Sequence, residues 1–135
     1  MKTKLILILL WSYGAAMAQK TQKAQLYYAS DKFEITTEHQ QKLCVLYDSI
    51  KDFSIKRITI KGYTDTDADS IYNISLSTKR TNSVKAELVN LGIANTLIFE
   101  NNYGENLAVK DSTSEQIKSK NRRVDIIVWL EKKRN

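Results

Sequence analysis

Three aspartates at alternate positions, Asp65, Asp67 and Asp69, stand just ahead of an arginine, Arg80, in the segment KGYTDTDADSIYNISLSTKRTNSV. An anion and a cation held a few ångströms apart form a receptor for a small zwitterion. Asp65 follows a strand-like run, so a rigid element would hold it at a sheet edge. Arg80 falls in the first turns of the helix that follows, and its planar guanidinium suits a carboxylate bidentately. A plainer reading stands beside this one. Asp65 and Arg80 would then form a structural salt bridge with each other, and Asp67 and Asp69 would be solvated turn residues or helix caps. A calcium loop fits poorly, because its glycine position falls on Ser70 and its final glutamate position on Leu76. There is no Ser/His/Asp set, metal cluster or phosphate loop, and His39 is the only histidine. The expectation is therefore a binding protein with no catalytic residues, no metal site and no cofactor.

The elements that position these residues follow from the pattern of the chain. Residues 1–18 read as a signal peptide: Lys2 and Lys4, then the apolar run from Leu5, then Ala16-Met17-Ala18 as a cleavage site. Its apolar centre is short for a membrane span, and no later stretch of the mature chain is apolar enough to be one. Loss of Lys2 and Lys4 takes the formal charge from +6 to +4. The basic excess gathers in KSKNRRV and the terminal EKKRN. An exported protein rarely meets nucleic acid, so solvated charge is the expected role, with polyanion binding as the other possibility. The single cysteine, Cys44, cannot form an internal disulfide and does not follow the signal region as a lipidated cysteine would. It is expected to be a buried, inert thiol.

Residues 19–24 read as a short polar lead-in, and 25–135 as one domain. QLYYAS supplies a first strand. Thr37 and Gln40 carry a capping-box signature for a helix over residues 38–52, with His39 on its solvated side. IKRITIKGY alternates as a half-buried strand. A second helix covers residues 74–91 and ends at Gly92. TLIFEN forms a third strand. Thr113 and Gln116 would cap a short helical turn over 114–120, and RRVDIIVWLE forms the last strand. The order is β-α-β-α-β-β, an α+β fold with one mixed sheet and helices packed on one face.

Several blocks in this order carry a resemblance: Gly62-Tyr63-Thr64-Asp65, Tyr72-Asn73, Leu76-Ser77, Arg80, Ser83-Val84, Gly92-Ile93, Tyr103-Gly104-Glu105 and Asn121-Arg122-Arg123-Val124. Together with the entry segment LYYASDKFEITTEHQQKL, they resemble the C-terminal domain of the OmpA/MotB family over nearly the whole mature chain. The resemblance implies a non-enzymatic domain that binds peptidoglycan non-covalently. It would work in the periplasm or on the periplasmic face of the outer membrane. An aspartate at position 65 would take the ammonium of diaminopimelate in the stem peptide, and an arginine at position 80 its carboxylate. Asn121 and Arg122 would be secondary contacts, and Thr64 and Asn73 would support the loop or the ligand. An envelope protein is a further possible partner, and the alternative is a degenerate domain that serves as a protein-interaction scaffold. The chain departs from the family pattern at Ala68 and Asn102, where glycines are common, at Phe33, where small polar residues are usual, and at Ala29-Ser30.

Overall fold

The computed structural model describes residues 19–108 and 114–133, so the expected signal segment and Thr113 lie outside the described residues. The strands are β1 (Lys20–Tyr27), β2 (Ser54–Tyr63), β3 (Ile98–Gly104) and β4 (Arg123–Glu131). The helices are α1 (Thr37–Ile50), α2 (Ser70–Asn90) and α3 (Glu115–Asn121). A short 3-10 turn, Asn95–Leu97, precedes β3. The sheet runs β1-β4-β2-β3. β4 is antiparallel to both β1 and β2, and β2 is parallel to β3. This is the expected α+β fold with one mixed sheet.

The alternation of β4 sets which face of the sheet is covered. Val124, Ile126, Val128 and Leu130 are all buried, and the residues between them are only half-buried. Against this face α1 places Leu43, Leu46 and Ile50, and α2 places Val84 and Leu88, in one apolar cluster. α2 stops where Gly92 adopts a φ of 105°; the Ile93 N–H reaches back to Leu88 O and the Gly92 N–H to Val89 O. Those two bonds satisfy carbonyls that the last helical turn leaves open.

Local expectations fail where tertiary contacts outweigh pattern. The polar stretch read as a lead-in is most of β1, because eight residues from Lys20 to Tyr27 pair with β4. α1 is capped by Thr36 rather than Thr37, and the third residue of its capping box is His39, not Gln40. His39 is 4% exposed rather than solvated. Its Nδ1 accepts the Thr36 N–H and its Nε2 meets Tyr27 O at 2.7 Å, so both ring nitrogens are occupied by backbone. Cys44 is exposed, on the outer side of α1, not buried. α2 begins four residues earlier than expected, since Asp69 accepts the Tyr72 N–H and caps it.

Gly62 marks the closest approach of sheet and helix. A Cβ there would lie 2.8 Å from Ser77 O and 2.8 Å from Thr81 Cγ2. Backbone on a packed helix cannot yield cheaply, so Gly62→Ala is expected to cost about 1–3 kcal/mol. Chemical denaturation checks this value, and an unchanged midpoint would refute the tight packing of α2 on β2.

Candidate functional site

Three chain segments converge beyond one end of the sheet. β2 runs into Thr64 and Asp65, and the Thr64 N–H is held by Gly104 O at 2.8 Å, at the end of β3. β1 runs into the loop from Tyr28 to Ile35. α3 hands over to β4 at Asn121 and Arg122. Antiparallel pairing of Tyr27 with Arg123 puts the end of β1 beside the start of β4.

Asp65 is only 6% exposed. Its Oδ1 accepts the Asp67 N–H at 3.1 Å, and its Oδ2 accepts from Arg122 Nη1 at 3.2 Å. The ion-pair partner of Asp65 is thus Arg122, not Arg80, which corrects the simple structural bridge. Arg122 also gives Nε to Tyr28 O at 3.0 Å and Nη2 to Glu115. The Glu115 bond is the main cause that raises the Arg122 pKa, and the same bond holds the exposed Glu115 carboxyl below its usual value.

Arg80 lies in the third turn of α2, deeper in the helix than the sequence suggested, and has no exposed surface. Nε donates to Lys32 O at 2.8 Å, Nη1 to Tyr63 O at 2.9 Å and Nη2 to Ala29 O at 3.4 Å. The guanidinium also stacks on the Tyr28 ring, 4.8 Å from its centroid. Burial pulls its pKa down to about 10; Tyr28 and Asp65 oppose that shift, and the positive charge of Arg122 adds to it. It therefore stays charged at neutral pH.

A cleft of about 250 Å³ opens at this point, walled by Asp31, Asp65, Asp67, Tyr72 and Asn73 among others. Asn73 braces it, giving its amide to Ala68 O at 3.0 Å, Glu105 Oε2 at 2.9 Å and Asp65 O at 3.3 Å. The Thr64 hydroxyl donates to Asp65 O at 2.9 Å. An adjoining hollow shares Asp31 and Tyr72 and adds Phe33 and Lys79. Of the six residues singled out from sequence, Asp65 and Asn73 line the cleft. Thr64, Arg80, Asn121 and Arg122 are buried and do not line it.

Sequence reasoning missed Asp31 and Tyr72. Tyr72 donates its hydroxyl to Asp31, which holds a φ of 57°. An aspartate just past a strand end was the available signal, because Asp tolerates that left-handed conformation better than most residues. Two departures from the family pattern are accommodated. Ala68 is not at positive φ, so no glycine is required there. Asn102 accepts the Thr81 hydroxyl at 2.7 Å and ties β3 to α2.

The OmpA family profile matches residues 27–122. The chain belongs to the OmpA family. It is 31% identical over 102 residues to the peptidoglycan-associated lipoprotein of Buchnera aphidicola, with 76% of this chain and 59% of that protein aligned. It is also 31% identical to outer membrane porin F of Pseudomonas aeruginosa, over 76% of this chain and 30% of the porin. The chain thus spans 59% or less of these two relatives. The OmpA-like domain of FopA1 from Francisella tularensis superposes with a TM-score of 0.71 at 25% identity, covering 84% of this chain and 77% of that one. The peptidoglycan-associated lipoprotein of Burkholderia pseudomallei gives 0.66 at 25% identity, covering 77% and 88%. Among the described residues of this OmpA-family chain, no helix is long and apolar enough to cross a membrane.

Removal of Arg122 leaves the buried Asp65 carboxylate without its cation. Arg122→Ala is expected to cost about 3–5 kcal/mol in denaturant unfolding. Loss under about 1 kcal/mol would mean that Asp65 is satisfied without it. Glu115 sets a pH dependence of known sign. Its folded-state pKa is depressed, so its contribution is present above the ordinary carboxylate range and is lost as pH falls through the depressed value. Glu115→Gln should make the acid limb of a stability–pH curve shallower and leave its alkaline limb unchanged.

Proposed function

We propose that this domain binds peptidoglycan non-covalently in the bacterial envelope, holding the free amino-acid end of a diaminopimelate residue. Asp65 receives the ammonium group and Arg80 the carboxylate. The observation that carries this reading is that Asp65 walls a small cleft while the Arg80 cation is bonded to the backbone of the two segments beside it. Arg80 is bonded to the carbonyl of Tyr63, two residues before Asp65, and to the carbonyls of Ala29 and Lys32 in the facing loop. A guanidinium has five N–H bonds; Arg80 has no exposed surface, so in this reading the facing loop at Ala29 and Lys32 shifts to let those not given to the three carbonyls take the ligand carboxylate. The ammonium is favoured further by Asp31 and Asp67 on the same wall, although Lys118 offsets Asp67 with an ion pair at 2.8 Å.

Arg122, Thr64, Asn73 and Asn121 serve in this reading as supports that fix Asp65 and the loop. The names of the relatives agree with it: two are peptidoglycan-associated lipoproteins. Two charge-assisted contacts contribute roughly 1.5–3 kcal/mol each, so affinity for one stem peptide is modest. Many stem peptides on one wall then add avidity. The domain is a binding module, not an enzyme, and its place is the periplasm or the periplasmic face of the outer membrane.

Co-sedimentation with purified diaminopimelate-type sacculi tests the reading. Because Arg80 is wholly buried, its alanine variant would confuse folding with binding. Asp65→Asn and Arg80→Lys keep most of the volume and are the better probes. Wild type should pellet with the wall, and both folded variants should stay in the supernatant. If wild type does not pellet, or if the variants pellet equally, the clamp is refuted.

A further inference from the structure

Strand β1 is one edge of the sheet. Its ladder to β4 runs through eight pairs without a shift of register, from Lys20 opposite Leu130 to Tyr27 opposite Arg123. In an antiparallel ladder every second residue turns its N–H and C=O away from the neighbouring strand. β1 therefore presents an outward row of backbone donors and acceptors, with no proline or bulge to interrupt it. Helix α1 lies alongside. Glu38, Gln41, Lys42, Val45 and Ser49 recur at helical spacing and, with residues 22–25 of β1, enclose a groove of about 560 Å³. This is more than twice the volume of the cleft at Asp65. Its apolar part is the half-buried Ala24, the buried Leu46 and Val45, which is 70% exposed. A helical stripe that looks past the last strand, with an exposed valine at its centre, leaves the position of a fifth strand roofed on one side.

We propose that this groove docks an extended segment of a partner protein, which adds to β1 as a fifth strand. Its main chain pairs with the outward N–H and C=O groups, and its alternate side chains give selectivity. Side chains on one face pack beneath α1 on Ala24, Val45 and Leu46, where β-branched residues fit. Those on the other face meet the open side of the sheet. There the strand alternation places Lys23 with Gln25 and Tyr27, so an acidic residue opposite Lys23 is favoured. The partner segment is therefore one in which acidic and β-branched residues alternate. A second copy of this chain is a poorer occupant. Edge-to-edge pairing about a central two-fold axis sets the Lys23 side chains of both copies on one shared face, where like charges oppose pairing. The inference does not depend on peptidoglycan binding, because the groove and the Asp65 cleft share no lining residue.

The probe is a capped peptide of about ten residues in which glutamate and valine alternate, titrated into the folded protein and followed by NMR. Shifts should be confined to β1 and α1, and the outward amides of β1 should gain protection from hydrogen exchange. Val45→Ser, at an exposed position, should weaken binding about five- to tenfold. Lys23→Glu should weaken it about three- to tenfold and favour a lysine–valine peptide instead. Two N-methylated peptides, each blocked along one edge, separate backbone pairing from charge attraction: one of them should fail to bind. The proposal is overturned if both methylated peptides bind as well as the parent, if the shifts centre on Asp65, or if the free protein is already a dimer with β1 protected.

Discussion

The structure at the site depends on one constraint: a guanidinium with no exposed surface must have its donors satisfied. A buried charge is tolerated only where hydrogen bonds replace its hydration. Arg80 meets that requirement with carbonyls from two distant parts of the chain, Tyr63 at the end of β2 and Ala29 and Lys32 in the loop after β1. This loop has no regular structure of its own. It is held by the arginines: Arg80 takes its middle, and Arg122 takes its start through Tyr28 O. The cation proposed to receive a ligand carboxylate is thus also what folds one wall of the cleft. The Asp65 wall of such a site is formed before the ligand arrives, which reduces the ordering cost of binding.

The sheet makes that convergence possible. β2 and β3 are parallel, so both deliver their C-terminal ends to one side, where Thr64 and Gly104 are bonded. β4 is antiparallel to both of its neighbours, so it starts on that same side, with Arg122 just ahead of it. Gly104 is required there for two reasons. Its φ is 57°, and a Cβ would lie 3.0 Å from the backbone of Asn73 and Ile74. The first turn of α2 can therefore press against the end of β3, and Asn73 reaches the three acceptors that brace Asp65.

What was legible in the sequence was whatever depends on local period or on the order of motifs. The β4 alternation, the Gly92 stop and the order of elements all follow from spacing between near neighbours, and the fold was readable from them. What was not legible depends on partners far apart in the chain. His39 looked solvated because a lone histidine in a helical first turn has no visible partner; its partner is Tyr27 O, twelve residues earlier. Lys20 to Ala24 looked frayed because polar residues suit an exposed edge strand as well as a disordered lead-in, and only pairing with β4 distinguishes the two. At the site, Asp65 and Arg80 were recognised as a pair of charges, but their bonding partners were not. Arg122 lies 57 residues from Asp65, and Lys32 lies 48 residues from Arg80.

The two surfaces of this domain make opposite uses of the main chain. At the cleft, backbone carbonyls are consumed in orienting arginines, and side-chain charge is what remains for a ligand. Along β1, side chains are mostly polar, and among the described residues the main chain is unpaired on one edge. The proposed zwitterion suits the first, because it offers an ammonium to the cleft carboxylates and little surface. An extended chain suits the second, because it offers regularly spaced donors and acceptors. The two meet at residues 27 and 28, where His39 holds one carbonyl and Arg122 the next. Those bonds fix the end of β1 from both sides, so a strand added along residues 22–25 would leave the loop at the cleft in place. Under the two proposals, one end of the domain holds the wall while a partner lies along its edge.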